Sequence, residues 1–83
     1  MKILDLREDI NQYIKQNKLE KKWLKSKLLF EENSKHPSLN TELLEPIWWG
    51  IYSFRLDKKY RSIFFITENK EVEIIALTNH YKK

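Results

Sequence analysis

At 83 residues the chain has room for one small domain, because domains run to roughly 100–150 residues and a second core would not fit. Hydrophobic residues make up 41% and charged residues 34%, with three Trp, four Tyr and four Phe, a composition too aromatic for a disordered tail and sufficient for one modest core. The absence of Cys excludes disulfide scaffolds, thiolate nucleophiles and Cys-based zinc sites, and the two His form no H-x-x-x-H pair, so neither a metal nor another cofactor is expected; 16 Lys and Arg against 12 Asp and Glu leave a charge of +4 that favours a polyanionic partner such as nucleic acid.

The chain opens on Met1-Lys2-Ile3-Leu4-Asp5 without an apolar signal run, and no later stretch approaches the ~18 apolar residues of a membrane span. A cytoplasmic protein with no membrane partner is expected. Lys2 to Leu4 leave space for a short first strand. Leu6, Ile10, Tyr13 and Ile14 then recur at i, i+4, i+7 and i+8, which predicts a helix over residues 5–16 with Asp5 and Glu8 as a capping pair. After the polar break Gln16-Asn17-Lys18, a second stripe of Leu19, Trp23, Leu24 and Leu28 predicts a helix over residues 18–33, closed by Asn33-Ser34 ahead of His36-Pro37. Lys15, Lys18, Lys21, Lys22, Lys25 and Lys27 cover much of the polar surface of the pair, by default a solvated face.

Both Pro and the single Gly fall between His36 and Gly50, and this punctuation divides the chain into unlike halves. Trp48-Trp49 beside Gly50 reads as a core plug or a partner-binding surface in preference to a base-stacking platform. Beyond it come β-rich runs at residues 50–56, 61–67 and 72–77, joined by short polar connections that require antiparallel order. Tyr52, Phe54 and Leu56 alternate with Ser53, Arg55 and Asp57, so one face should meet a core and the other should not. The predicted fold is α+β, a short first strand and two N-terminal helices packed on an antiparallel sheet, burying Ile10, Ile14, Leu24, Leu28, Phe54 and Ile74.

The run Gly50-Ile51-Tyr52-Ser53-Phe54-Arg55-Leu56-Asp57-Lys58-Lys59-Tyr60-Arg61, with His36-Pro37-Ser38-Leu39 and Leu43-Leu44 before it and His80-Tyr81 after it, resembles the RelE/ParE superfamily of type II toxins. The branch it resembles most is that of the RelE and YoeB messenger-RNA interferases. The resemblance implies a RelE-like toxin domain over residues 1–83, cleaving messenger RNA on the ribosome without a metal and held inactive by a cognate acidic antitoxin. Counted back from Gly50 without gaps, it also implies catalytic roles for Glu42, Arg61 and His80 and substrate-binding roles for Tyr81 and Arg55. Cleavage by the RNA's own 2′-hydroxyl needs a base, a cation at the phosphate and an acid for the departing 5′ oxygen, roles that Glu42, Arg61 and His80 would fill in that order. Tyr81 would stack on or orient a base.

Without the resemblance these residues read more plainly: Glu42 as a solvated acid, Arg55 as an outward strand cation, Arg61 as an edge charge, His80-Tyr81 as a pin for the tail and His36 as a turn residue. Glu45 stands where a YoeB-type chain carries a basic residue, and the paired Lys of the RelE branch is absent. These departures motivate the alternative of a ParE-like or catalytically degenerate relative that acts by protein binding. A general RNA-binding module is disfavoured, since no GXXG loop occurs. Strand register offers a further expectation. A three-residue connection over residues 57–59, or a bulge, pairs Arg55 with Arg61 on one face, whereas a two- or four-residue connection pairs Leu56 with Arg61 and separates the cations. The basic residue that the resemblance puts at both positions favours the shared face.

Overall fold

In a computed structural model, which describes residues 1–79, two helices lie against one face of a four-stranded antiparallel sheet. Helix α1 spans Glu8–Gln16 and α2 spans Glu20–Glu32. Ile10 and Ile14, one turn apart, form the buried edge of α1, while Glu8 and Asp9 in its first turn and Lys15 in its last complement the helix dipole. The expected Asp5–Glu8 capping pair does not form, because the helix begins only at Glu8 with Arg7 in the capping position. The Arg7 guanidinium bonds Asp9, Nε to Oδ1 at 3.1 Å, and donates to the Ile75 carbonyl at 2.9 Å, tying the helix start to the last strand. This Arg7 hydrogen bond holds the Asp9 carboxyl below the usual carboxylate range.

The break after α1 is a Schellman turn. Lys18 adopts φ 55°, its N–H donates to the Lys15 carbonyl at 3.2 Å, and the Leu19 N–H donates to the Ile14 carbonyl at 2.9 Å. A lysine occupies the left-handed position that glycine usually takes, so sequence marks this turn only by its polarity. Leu19 is thereby driven into the core next to Ile14.

The face that α2 buries differs from the one expected. Leu19, Trp23, Ser26 and Phe30, at i, i+4, i+7 and i+11, turn inward, whereas Leu24 and Leu28 are 55% and 59% exposed on the far side. Trp23 and Leu24 are consecutive, and at ~100° of helical rotation per residue only one of them can sit at the centre of the buried face. The larger ring takes it, and Ser26, polar in sequence, reaches the Arg55 carbonyl at 3.4 Å from within the interface. Replacing Leu24 or Leu28 by Ser is therefore expected to change unfolding free energy by less than about 0.5 kcal/mol, readable in urea titrations.

The strands are β1 (Glu42–Leu43), β2 (Ile51–Arg55), β3 (Arg61–Ile66) and β4 (Val72–Thr78), in spatial order β1-β2-β3-β4. The two residues of β1 are too short for periodicity to reveal. The expected first strand is shorter still: Ile3 makes a single parallel bridge to Val72, flanked by Leu4 N–H to Val72 O at 2.8 Å and Val72 N–H to Lys2 O at 2.9 Å. Phe30, Phe54 and Phe64 form the centre of the core, with ring centroids 4.8 Å (Phe30–Phe54), 5.2 Å (Phe30–Phe64) and 5.7 Å (Phe54–Phe64) apart. Trp23 stacks on Phe54 from α2. Ile10, Ile14, Phe54 and Ile74 are buried as expected.

The β2–β3 connection turns over residues 57–59, with the Leu56 N–H on the Tyr60 carbonyl at 2.9 Å. Asp57 organises it. Burial pushes the Asp57 carboxyl up, but Lys22 at 2.6 Å and the N–H groups of Tyr60 and Lys59 at 2.7 and 2.8 Å outweigh that, so the group titrates below its ordinary range and stays charged. This turn sets the register that follows from it, with Arg55 opposite Arg61.

Candidate functional site

Cross-strand partners share a face, so the Arg55–Arg61 pair puts both cations on one side of the sheet. Phe54 and Phe64, one residue out of phase, go to the helix side. Arg55, Arg61 and Ser53 thus belong to the face that the helices leave uncovered. Glu42 joins them there, since it pairs with Ser53 across β1 and β2.

Arg61 is nonetheless buried, and its head group is held from two directions. Its Nε and Nη2 donate to the Ser53 hydroxyl oxygen at 3.1 and 2.9 Å, and Nη2 also donates to the Asn40 carbonyl at 2.7 Å. Arg55 donates from Nε to the Ser38 carbonyl at 3.2 Å. Both arginines therefore grip the carbonyls of one short segment, the 3₁₀ turn Pro37–Leu39 and its cap Asn40. That segment is itself anchored. Leu39 is buried in the core, the Thr41 hydroxyl donates to the Ser34 carbonyl at 2.7 Å, and Asn40 takes the left-handed conformation (φ 45°) that an Asn tolerates. His36 closes the front of the turn by accepting the Ser38 N–H on Nδ1 at 3.1 Å, in keeping with the turn role expected of it.

Glu42 lies half-buried one strand away from Arg61's anchor, and its Oε1 accepts from the Asn40 side-chain amide at 3.5 Å. A groove of about 580 Å³ runs past it, lined by Lys35, His36, Asn40, Glu42, Leu43 and Tyr52 among others. The arrangement puts a carboxylate and a fixed guanidinium on the same helix-free side of the sheet, the pair of groups a phosphodiester would need. His80 and Tyr81, expected to complete the site, lie outside the described residues. Among the described residues no three His, Asp or Glu side chains gather as metal ligands would, and no helix is long and apolar enough to cross a membrane.

Ser53 and Asn40 are the participants that sequence reading missed. The outward alternation of Ser53 was legible, but its tie to Arg61 depends on strand register, and the contact with Asn40 depends on a turn some twenty residues distant. The Trp pair is the other surprise. Ile47–Trp49 forms a single 3₁₀ turn closed by Gly50 at φ 66°, where a side chain would be strained though nothing stands near its would-be Cβ. Trp48 and Trp49 are 82% and 66% exposed, which removes the core-plug reading.

Two helices on one face of a four-stranded antiparallel meander make up a fold met in a solved toxin structure. A YoeB/ParE toxin from Agrobacterium tumefaciens shares it: the two chains align over 98% of this one and 100% of that one with a TM-score of 0.70, at 16% sequence identity. The fold that the resemblance implies is thus met. No family model matches the sequence, and no curated protein matches it either.

Proposed function

We propose that this chain is the single-domain toxin of a type II toxin–antitoxin pair and a metal-free endoribonuclease of messenger RNA, acting on the ribosome in the cytoplasm. One observation carries the reading: the cross-strand pair Arg55–Arg61 and the carboxylate of Glu42 share the helix-free face of a sheet whose fold matches a YoeB/ParE toxin. In this reading Glu42 takes the proton of the 2′-hydroxyl, which attacks the adjacent phosphorus. Arg61 neutralises the pentacoordinate phosphate, and His80 protonates the departing 5′ oxygen, leaving a 2′,3′-cyclic phosphate. Arg55 and Tyr81 hold the flanking nucleotide. The net charge of +4 suits approach to ribosomal RNA through salt-sensitive phosphate contacts, and it equally suits an acidic antitoxin that covers the Arg61 face.

Induction of the chain in a growing bacterial culture is expected to arrest growth within a generation, with new messenger-RNA 5′ ends mapped by primer extension and both effects reversed by co-expression of an acidic partner. Unchanged growth and intact transcripts defeat the toxin reading.

A second reading is favoured by the exposed turn Ile47–Trp49. Large contiguous apolar surface on a small protein marks a protein-binding site, and here it is flanked by Glu45, where no cation draws in a phosphate. A ParE-like chain that arrests growth by binding a protein, without cutting RNA, would use such a surface. Growth arrest with intact transcripts in the same culture distinguishes it.

A further inference from the structure

We propose that Ser53 is a positioning residue for Arg61, its hydroxyl fixing the plane of the guanidinium that meets the phosphate; this rests on the ribonuclease reading above. Ser53 is fully buried and Arg61 nearly so, yet both carry polar groups on the side of the sheet away from the helices. Two donors on one edge of the Arg61 guanidinium, Nε at 3.1 Å and Nη2 at 2.9 Å, converge on the serine oxygen, which accepts both. The guanidinium is planar by conjugation, and an edge held at two of its nitrogens cannot swing about the Cδ–Nε bond. The Asn40 carbonyl, at 2.7 Å from Nη2, fixes the third point that defines the plane.

The strand geometry explains why this position does the work. Ser53 stands opposite Ile63 on β3, and Arg61 lies two residues further along, on the diagonal of the ladder. Diagonal neighbours are roughly 7–8 Å apart at the backbone, a gap that an arginine stem spans and a short hydroxyl completes. On its other side Ser53 stands opposite Glu42. The hydroxyl therefore sits in the row next to the carboxylate, with the guanidinium on its other diagonal. Charge on the phosphate grows as the 2′-oxygen attacks, so orientation of the guanidinium matters more in the transition state than in substrate binding.

The test has two readouts on the intact chain. In the free protein, the Arg61 Nε–H should give a resolved, slowly exchanging NMR signal, and Ser53→Ala should shift it and speed its exchange at least tenfold. In single-turnover cleavage of messenger RNA in ribosome complexes, Ser53→Ala should lower the rate on the order of 10²-fold per folded molecule with binding little changed, the scale of a misplaced catalytic group. Ser53→Thr, which keeps the hydroxyl, should recover most of the rate. In an Arg61→Lys background, which has no fork to hold, Ser53→Ala should cost nothing further. A purely structural Ser53 would lower thermal stability while leaving the Nε–H signal and the rate per folded molecule unchanged, and that result overturns the proposal. If the wild-type chain cuts no RNA, the ribonuclease reading fails instead; the NMR arm then still decides whether Ser53 holds Arg61, and an unmoved signal overturns that too.

Discussion

Arg61→Gln is expected to reduce RNA cleavage by about 10³-fold, the scale seen when a preorganised donor to a developing oxyanion is removed. The neutral amide is shorter than the guanidinium and cannot reach the Ser53 hydroxyl and the Asn40 carbonyl together, so both the charge and its aim are lost. Arg61→Lys should fall between the two, because a lysine keeps a charge and gives up the planar fork. Neither substitution touches the aromatic core, and circular dichroism should report the same helix content as the parent. Measured as single-turnover rates at saturating ribosome complex, equal rates for Arg61→Gln and the parent would remove Arg61 from the chemistry and shift the weight to the protein-binding reading.

Phe54→Ala is expected to have the largest effect on folding, about 3–5 kcal/mol. Phe54 is fully buried and is the ring on which Trp23 from α2, Phe30 from α2 and Phe64 from β3 converge, so its loss opens a cavity where helix and sheet meet. A chain of this length has roughly 4–12 kcal/mol to lose, and the variant should be close to half-unfolded at physiological temperature in the less stable part of that range. Urea titration should show a lower midpoint with an unchanged slope. A shift below about 1 kcal/mol would mean that the aromatic cluster is not the centre of the core. The contrast with Leu24→Ser and Leu28→Ser, expected to be nearly silent, tests the inward face of α2 directly, since side chains that look alike in sequence should differ several-fold in consequence.

That contrast marks where sequence stops being informative. Helix existence was legible because Ile10 and Ile14, and Trp23 within its stripe, repeat at helical spacing, and the meander was legible because Tyr52, Phe54 and Leu56 alternate with polar neighbours between short polar connections. The inward direction of α2 was not, because Leu19, Trp23, Leu24 and Leu28 are compatible with two overlapping stripes and the choice falls to the aromatic contacts with Phe54. The turn at Lys18 was visible only as polarity, because its left-handed residue is not a glycine.

The candidate site divides in the same way. That Arg55 and Arg61 flank one tight connection follows from their positions in the chain, and the resemblance put Glu42 in their company. Their common face was decided by Asp57, whose carboxylate caps a three-residue turn and thereby sets the register, a matter of one hydrogen-bonding side chain that a shift of a single residue would undo. Tertiary structure alone decided that Arg61 is buried, and that it is held by Ser53 and by the carbonyl of a residue twenty-one positions away. It alone decided that Trp48 and Trp49 stand in solvent. Periodicity records which residues a local backbone can turn to one side. Which side is covered, and by what, depends on contacts between segments far apart in the chain, and no local pattern carries that information.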